Sequence, residues 1–153
     1  MPSSKFVVES RISKSFRVDK IKGMFDYDLD VVRKEFDVDI PIDNEKWNIG
    51  LIVGASGSGK TTIAREVFKD LSNGQKMRAE LARLILESNK PVLYDEFTSV
   101  VDRQVAKIGS AAIQKFIRKE NKQFIAVSCH YDIEAWLEPD WVYDVNEHKF
   151  YRR

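Results

Sequence analysis

Apolar and polar positions along this chain follow two rhythms, which predict strands and helices in alternation. The first fifty residues hold short β-rich runs broken by charge: Phe6-Val7-Val8, Phe16-Arg17-Val18 and the alternating Phe36-Asp37-Val38-Asp39-Ile40-Pro41-Ile42. Branched and aromatic residues in such runs suit a pleated, half-buried surface, so they predict a small antiparallel sheet. Ile49-Gly50-Leu51-Ile52-Val53 is apolar without alternation and ends in a glycine-rich turn, as a strand buried on both faces should. A helix is expected from about Gly59 to Lys69. Leu71-Ser72-Asn73-Gly74 has turn chemistry, and the spacing of Met77, Leu81, Leu84 and Ile85 predicts a second helix that stops before Pro91.

The same alternation continues to the C-terminus. Val92-Leu93-Tyr94 reads as a second buried strand running into Asp95-Glu96, and Val105, Ile108, Ala112, Ile113, Phe116 and Ile117 outline a third helix. Phe124-Ile125-Ala126-Val127 is a third buried strand closing at Ser128-Cys129-His130. Trp141 to Val145 and Lys149 to Tyr151 flank Asn146-Glu147-His148 as a terminal hairpin. Strands alternating with helices predict a three-layer α/β fold with a mainly parallel central sheet, its functional loops at the carboxyl ends of the strands. The 153 residues are expected to form a single domain, 1–48 its β-rich N-terminal part and 49–153 its core.

Composition narrows the setting without naming a function. Apolar residues make up 43% and charged residues 32%, an ordinary globular balance, and the net charge of +1 gives no bulk attraction to nucleic acid or an anionic membrane. Cys129 is the single cysteine, which excludes an internal disulfide and fits a reducing compartment, so a cytoplasmic protein is expected. No signal peptide or membrane-spanning run is expected, and service to a membrane assembly would need a separate membrane subunit.

The chemistry concentrates in one loop. Gly54-Ala55-Ser56-Gly57-Ser58-Gly59-Lys60-Thr61 fits G-x-x-x-x-G-K-[ST], between a buried strand and an expected helix that continues through Thr62. Glycines let successive backbone N–H groups turn around a phosphate, and the helix N-terminus adds positive potential. Lys60 reaches the β- and γ-phosphates, and Thr61 can ligate Mg²⁺. An acidic strand end such as Asp95-Glu96 is by itself more often solvated surface. Beside a phosphate loop, Asp95 can hold the Mg²⁺ shell and Glu96 can orient or deprotonate water. His130 also ends a buried strand, from where a polar side chain can reach a γ-phosphate.

The order of the phosphate loop (Walker A), Leu71-Ser72-Asn73-Gly74-Gln75, Tyr94-Asp95-Glu96 (Walker B), Ser99-Val100-Val101-Asp102 and Val127-Ser128-Cys129-His130 resembles the ATP-binding-cassette (ABC) ATPases, a family of P-loop NTPases. The segment Leu71 to Gln75 is similar to their L-S-G-G-Q signature, with Asn73 for its first glycine. The resemblance implies a soluble ATPase using ATP and Mg²⁺, working as an ATP-dependent head-to-tail homodimer and serving an unidentified partner protein. It implies that Ser72, Gly74 and Gln75 contact the γ-phosphate held by the other subunit. It makes Glu96 the general base, His130 the γ-phosphate sensor and Asp102 part of the loop joining the two sites. It offers Phe16, with Phe25 second, as the ring against adenine.

The family places a helical subdomain and a glutamine-bearing loop between the phosphate-loop helix and the signature, whereas only eight residues separate Thr62 from Leu71 here. That departure favours a second reading, a nucleotide-binding switch or scaffold with little hydrolysis. A small P-loop kinase is the third and would need an arginine-rich lid; Arg78 and Arg83 lie on a helix behind the signature-like turn, where surface solvation or packing explains them more economically, and Asp95, Glu96 and His130 suit water as the acceptor better.

Overall fold

The structure, a computed structural model, describes residues 3–11, 31–42, 46–69, 72–74, 78–99 and 101–153. By contact, the chain divides into two compact units, Ser4–Asp37 and the remainder, Met1–Ser3 with Val38–Arg153.

In the first unit, β1 (Ser3–Arg11) and β2 (Val31–Asp39) pair as the antiparallel two-stranded sheet expected of the N-terminal part. Lys5 meets Asp37 and Arg33 meets Glu9, each at 2.8 Å, and the Phe6 and Phe36 rings stack 5.2 Å apart. Such cross-strand pairs are the unit of stabilisation in a two-stranded ladder. The alternating run expected to continue to Ile42 leaves the strand after Asp39, because Pro41 has no N–H to give a ladder; instead Ile42 N donates to Ile40 O at 2.9 Å. Phe16-Arg17-Val18 lies outside the described residues.

The second unit runs β3 (Ile49–Val53), α1 (Lys60–Val67), β4 (Ser72–Gly74), α2 (Arg78–Glu87), β5 (Val92–Tyr94), α3 (Arg103–Lys119), β6 (Phe124–Ser128), α4 (Ile133–Leu137), β7 (Trp141–Asp144) and β8 (Lys149–Arg152). One sheet orders these strands β4-β5-β6-β3-β7-β8, parallel throughout except for β8, which returns antiparallel beside β7. Every residue of β3 and β6 is buried, as their unbroken apolar runs require.

Alternation along β3 separates the two faces of the sheet. Ile49, Leu51 and Val53 share a core with Val92, Phe124, Ala126 and Val142, covered by Ile85 of α2, Ile117 of α3 and Ile133 and Leu137 of α4. The other face carries Gly50 and Trp141, and α1 packs there, with Phe68 at its C-cap stacked on the Trp141 ring at 6.2 Å. Helices on both faces make the three layers expected of this pattern.

Gly50 is dictated by that packing. It lies opposite Trp141 in the parallel ladder, and a Cβ on it would come within 2.1 Å of Trp141 Cζ2. The indole is fully buried, with Trp47 and Phe150 also in ring contact, so it has nowhere to move. A carboxylate pins the start of the same strand: Asp140 Oδ2 accepts from Asn48 N at 2.7 Å and Ile49 N at 2.8 Å, and its Oδ1 accepts from Arg118 of α3 at 3.0 Å.

Three elements differ from expectation. The first helix ends at Val67, where Phe68 leaves helical backbone to reach Trp141. The five-residue α4 fills a stretch for which no element was expected, its Ile133 and Leu137 anchored in the core. Ser72–Gly74, expected as a turn leading into a helix near Gln75, is a strand, and residues 75–77 lie outside the described residues. The reason is an open sheet edge. Ser72, Asn73 and Gly74 pair with Val92, Leu93 and Tyr94, so backbone groups that a turn would leave to water are satisfied by β5. Among the described residues no helix is long and apolar enough to cross a membrane.

Two outcomes follow from this packing. Gly50→Ala is expected to destabilise the fold by about 3 kcal/mol, the upper range for overpacking a filled core, and Trp141→Leu in the same chain to recover part of the loss, read from urea unfolding. The Tyr151 hydroxyl donates to Glu134 Oε2 at 3.0 Å, and burial, then that bond, pushes its pKa from 10.0 up to about 12. The folded chain therefore holds this proton where the unfolded chain releases it, so stability should fall as pH rises from about 10 to 12. Tyr151→Phe should flatten that slope.

Candidate functional site

Because β3, β5, β6 and β7 run parallel in register, their carboxyl ends reach the same edge of the sheet. Val53 pairs with Ser128 on one side and Asp144 on the other, and Tyr94 with Ala126. Four loops therefore emerge together: 54–59 after β3, 95–99 after β5, 129–132 after β6 and 145–148 after β7.

The loop after β3 is held by its own backbone. Ser58 N donates to Ala55 O at 3.2 Å, and Lys60 Nζ donates to the same carbonyl at 2.6 Å. Gly57 and Gly59 take φ of 78° and 105°, left-handed backbone that a Cβ would strain. Ala55 and Ser56 are exposed, while Ser58 and Thr62 are half-buried. Gly59 caps α1 without a side-chain acceptor, and the first turn holds no acidic residue. The helix therefore presents uncompensated N–H groups and the positive end of its dipole beside the loop, an arrangement suited to an anion.

The predicted phosphate-loop threonine and strand-end aspartate meet. Thr61 Oγ1 donates to Asp95 Oδ1 at 3.1 Å, although β6 lies between β3, which leads into the helix bearing Thr61, and β5, which Asp95 follows. Glu96 N donates to that same oxygen at 3.0 Å, and Arg65, one helical turn beyond Thr61, stands 3.9 Å from Asp95 Oδ2. A hydroxyl and a carboxylate side by side are hard oxygen donors of the kind Mg²⁺ takes, with phosphate and water completing its shell. Among the described residues no three His, Cys, Asp or Glu side chains gather into a self-sufficient metal site. A cation here would thus share its shell with a ligand.

Glu96 is exposed and takes φ 55°, with Thr98 following at φ 65°. Such backbone persists only where its surroundings fix it. Here Ser99 donates to Glu96 O through N (3.0 Å) and Oγ (2.7 Å), Phe97 N donates to Val127 O at 2.8 Å, and Ser128 Oγ donates to Phe97 O at 3.1 Å. The acidic loop is thereby sewn to β6. The same hydroxyl of Ser128 accepts from His130 N at 3.1 Å, joining the histidine loop to it, and His130 itself is half-buried. Asp102 caps α3, its Oδ1 accepting from Gln104 N and Val105 N at 3.0 Å each.

Sequence reasoning missed the support after β7. Asn146 Oδ1 accepts from Ala55 N at 3.2 Å, bracing the phosphate-type loop from outside. Asp144 is buried and sets Asn146 in place, its Oδ1 accepting from Asn146 N at 2.8 Å, Glu147 N at 3.2 Å and the Tyr131 hydroxyl at 3.3 Å. Burial, and then this carboxylate, raises the pKa of Tyr131 above its usual 10.0. In sequence these residues read only as a hairpin turn. An aspartate inside an otherwise apolar buried strand was the available signal.

Of the other expected residues, Gly74 ends the edge strand β4, which runs parallel to β5 with Gly74 opposite Tyr94, so it reaches the same edge at the far side of β5, and Ser72 begins that strand; Phe16, Phe25 and Gln75 lie outside the described residues.

The chain matches no protein-family model. Among known proteins, 72 residues are 36% identical to the probable ABC transporter ATP-binding protein p29 of Mycoplasma genitalium, covering 47% of this chain and 29% of that protein. Over 84 residues the chain is 30% identical to the mitochondrial iron-sulfur clusters transporter ATM1 of Debaryomyces hansenii, covering 55% of this chain and 12% of that protein. The matches thus span under a third of each relative's length. About half of this chain is similar in sequence to each of these two transporter proteins.

Proposed function

We propose that this chain binds ATP together with Mg²⁺ and hydrolyses it as an ABC-type ATPase. The observation that carries the reading is the hydrogen bond from Thr61 to Asp95, which joins the two halves of a nucleotide–metal site from separate motifs. The partial similarity to ABC ATP-binding proteins points the same way.

In this reading the N–H groups of residues 54–62 and the start of α1 take the phosphate oxygens, and Lys60 exchanges the Ala55 carbonyl for the β- and γ-phosphates. Thr61 and Asp95 hold Mg²⁺, which when bound neutralises charge on the phosphates. Glu96 orients the attacking water and takes its proton, and His130 meets the γ-phosphate from the next loop. Phe16 is the proposed ring against adenine. A head-to-tail homodimer would bring Ser72, Gly74 and Gln75 to the other subunit's phosphate, with Asp102 between the sites. The chain would act in the cytoplasm and serve an unidentified partner protein, without inserting in a membrane itself and with no nucleic acid indicated by its charge.

One observation favours a second reading, a nucleotide-binding switch with little turnover. Ser72–Gly74 pairs at the sheet edge, whereas the trans contact calls for those residues at a helix start.

Lys60→Ala should weaken Mg-ATP binding by roughly tenfold or more, the worth of a charge-assisted hydrogen bond, measured by calorimetry with Tm unchanged. Undiminished affinity would remove the phosphate-loop reading. Initial hydrolysis rates across a wide protein range test the rest. ATPase action through composite sites predicts a per-subunit rate rising with concentration and lowered roughly 10²–10⁴-fold by Glu96→Gln. Tight ATP binding without turnover would leave the switch.

A further inference from the structure

Arg103 and Asp132 lie on different loops of the site edge, and neither was singled out by the motifs. Arg103 is the first residue of α3, directly after Asp102; Asp132 precedes α4, two residues after His130. The guanidinium grips the carboxylate with both arms, Nε to Oδ2 at 3.1 Å and Nη2 to Oδ1. Its plane also stands over Trp136 of α4, Cζ 4.9 Å from the ring centroid. This is the two-toothed, stacked geometry that arginine provides and lysine does not.

The position of Asp132 makes the pairing informative. It is the N-cap of α4, where an aspartate ordinarily spends its carboxylate on the helix's free N–H groups, yet it makes no side-chain cap. Both oxygens are turned to Arg103. The bond to Arg103 also holds the Asp132 carboxyl below the usual carboxylate range. Meanwhile Asp102 does cap α3. Two adjacent helix starts are thus treated differently, and the α4 cap is given up for a bond between loops. The Arg103 Nη1 atom, buried and without a partner among the described residues, shows the side chain held by this pair and the ring and not by a wider polar network.

We propose that Arg103 and Asp132 form a positioning pair that locks the segment bearing Asp102 to the segment bearing His130, so that the two shift as one body when the site closes on its ligand. The pairing is an observation of geometry. Its consequence for turnover rests on the ATPase reading above.

Hydrogen–deuterium exchange on the full chain without nucleotide tests the lock itself. Arg103→Ala and Asp132→Ala should each reduce protection in both segments, 101–106 and 129–134, with Arg103→Lys restoring it only in part. Loss confined to the segment carrying the substitution overturns the proposal. Hydrolysis kinetics test the consequence. In both alanine variants kcat should fall by roughly tenfold to a hundredfold with KM for ATP within about twofold, as misplacement without lost binding predicts. The double variant should be no worse than the poorer single one. Unchanged kcat in an active wild-type background, or effects that add, would overturn the proposal. An inactive wild-type chain with coupled exchange would overturn the ATPase reading and leave the lock standing.

Discussion

Everything at the site edge is measured from β3. It is paired parallel on both sides, to β6 and β7, and buried along its whole length, so a slip of one residue would turn the Ile49, Leu51 and Val53 set out of its core. Its register is fixed twice over. Gly50 admits the Trp141 ring and no side chain of its own, and Asp140 ties the backbone of Asn48 and Ile49 while reaching Arg118 of α3. Both constraints sit at the amino end of the strand, away from the candidate site. They leave the carboxyl ends level, and that levelness lets side chains from separate loops meet.

The site is a set of loops laced to that frame by few bonds. Ser128 Oγ serves two loops at once, donating to Phe97 O and accepting from His130 N. Asp144 does similar work on the other side, through Asn146 to Ala55 and through the hydroxyl of Tyr131. Buried polar side chains of this kind are costly unless fully used, and here their partners are the backbones of the loops that carry the candidate residues.

Much of this was legible in the sequence because it is local or periodic. Unbroken apolar runs gave the parallel strands, and the glycine-lysine-threonine loop and acidic strand end announced themselves by spacing. What was illegible depends on partners distant in the chain. Ser72–Gly74 has turn residues, and only the vacant edge of β5 makes it a strand, a case of tertiary pairing overriding local preference. Asn146 reads as a hairpin residue, and its role comes from Ala55, ninety-one positions earlier. Arg103 and Asp132 look like ordinary surface charges until the packing of α3 against α4 sets them face to face.

The Lys60 ammonium already holds a partner, the carbonyl of Ala55, at 2.6 Å. That contact closes a ring around the glycine loop, so the loop is kept in a rounded form by its own cation before any anion arrives. In the proposed ATP-binding reading, a ligand would meet a receptor whose ordering cost has been met at folding, and its arrival would exchange one oxygen for another at the same nitrogen. Affinity then tracks the difference between a neutral carbonyl and a charged oxygen as acceptors. On that reading the site would discriminate by charge: an uncharged mimic of the right shape would have little to offer that Ala55 does not already provide.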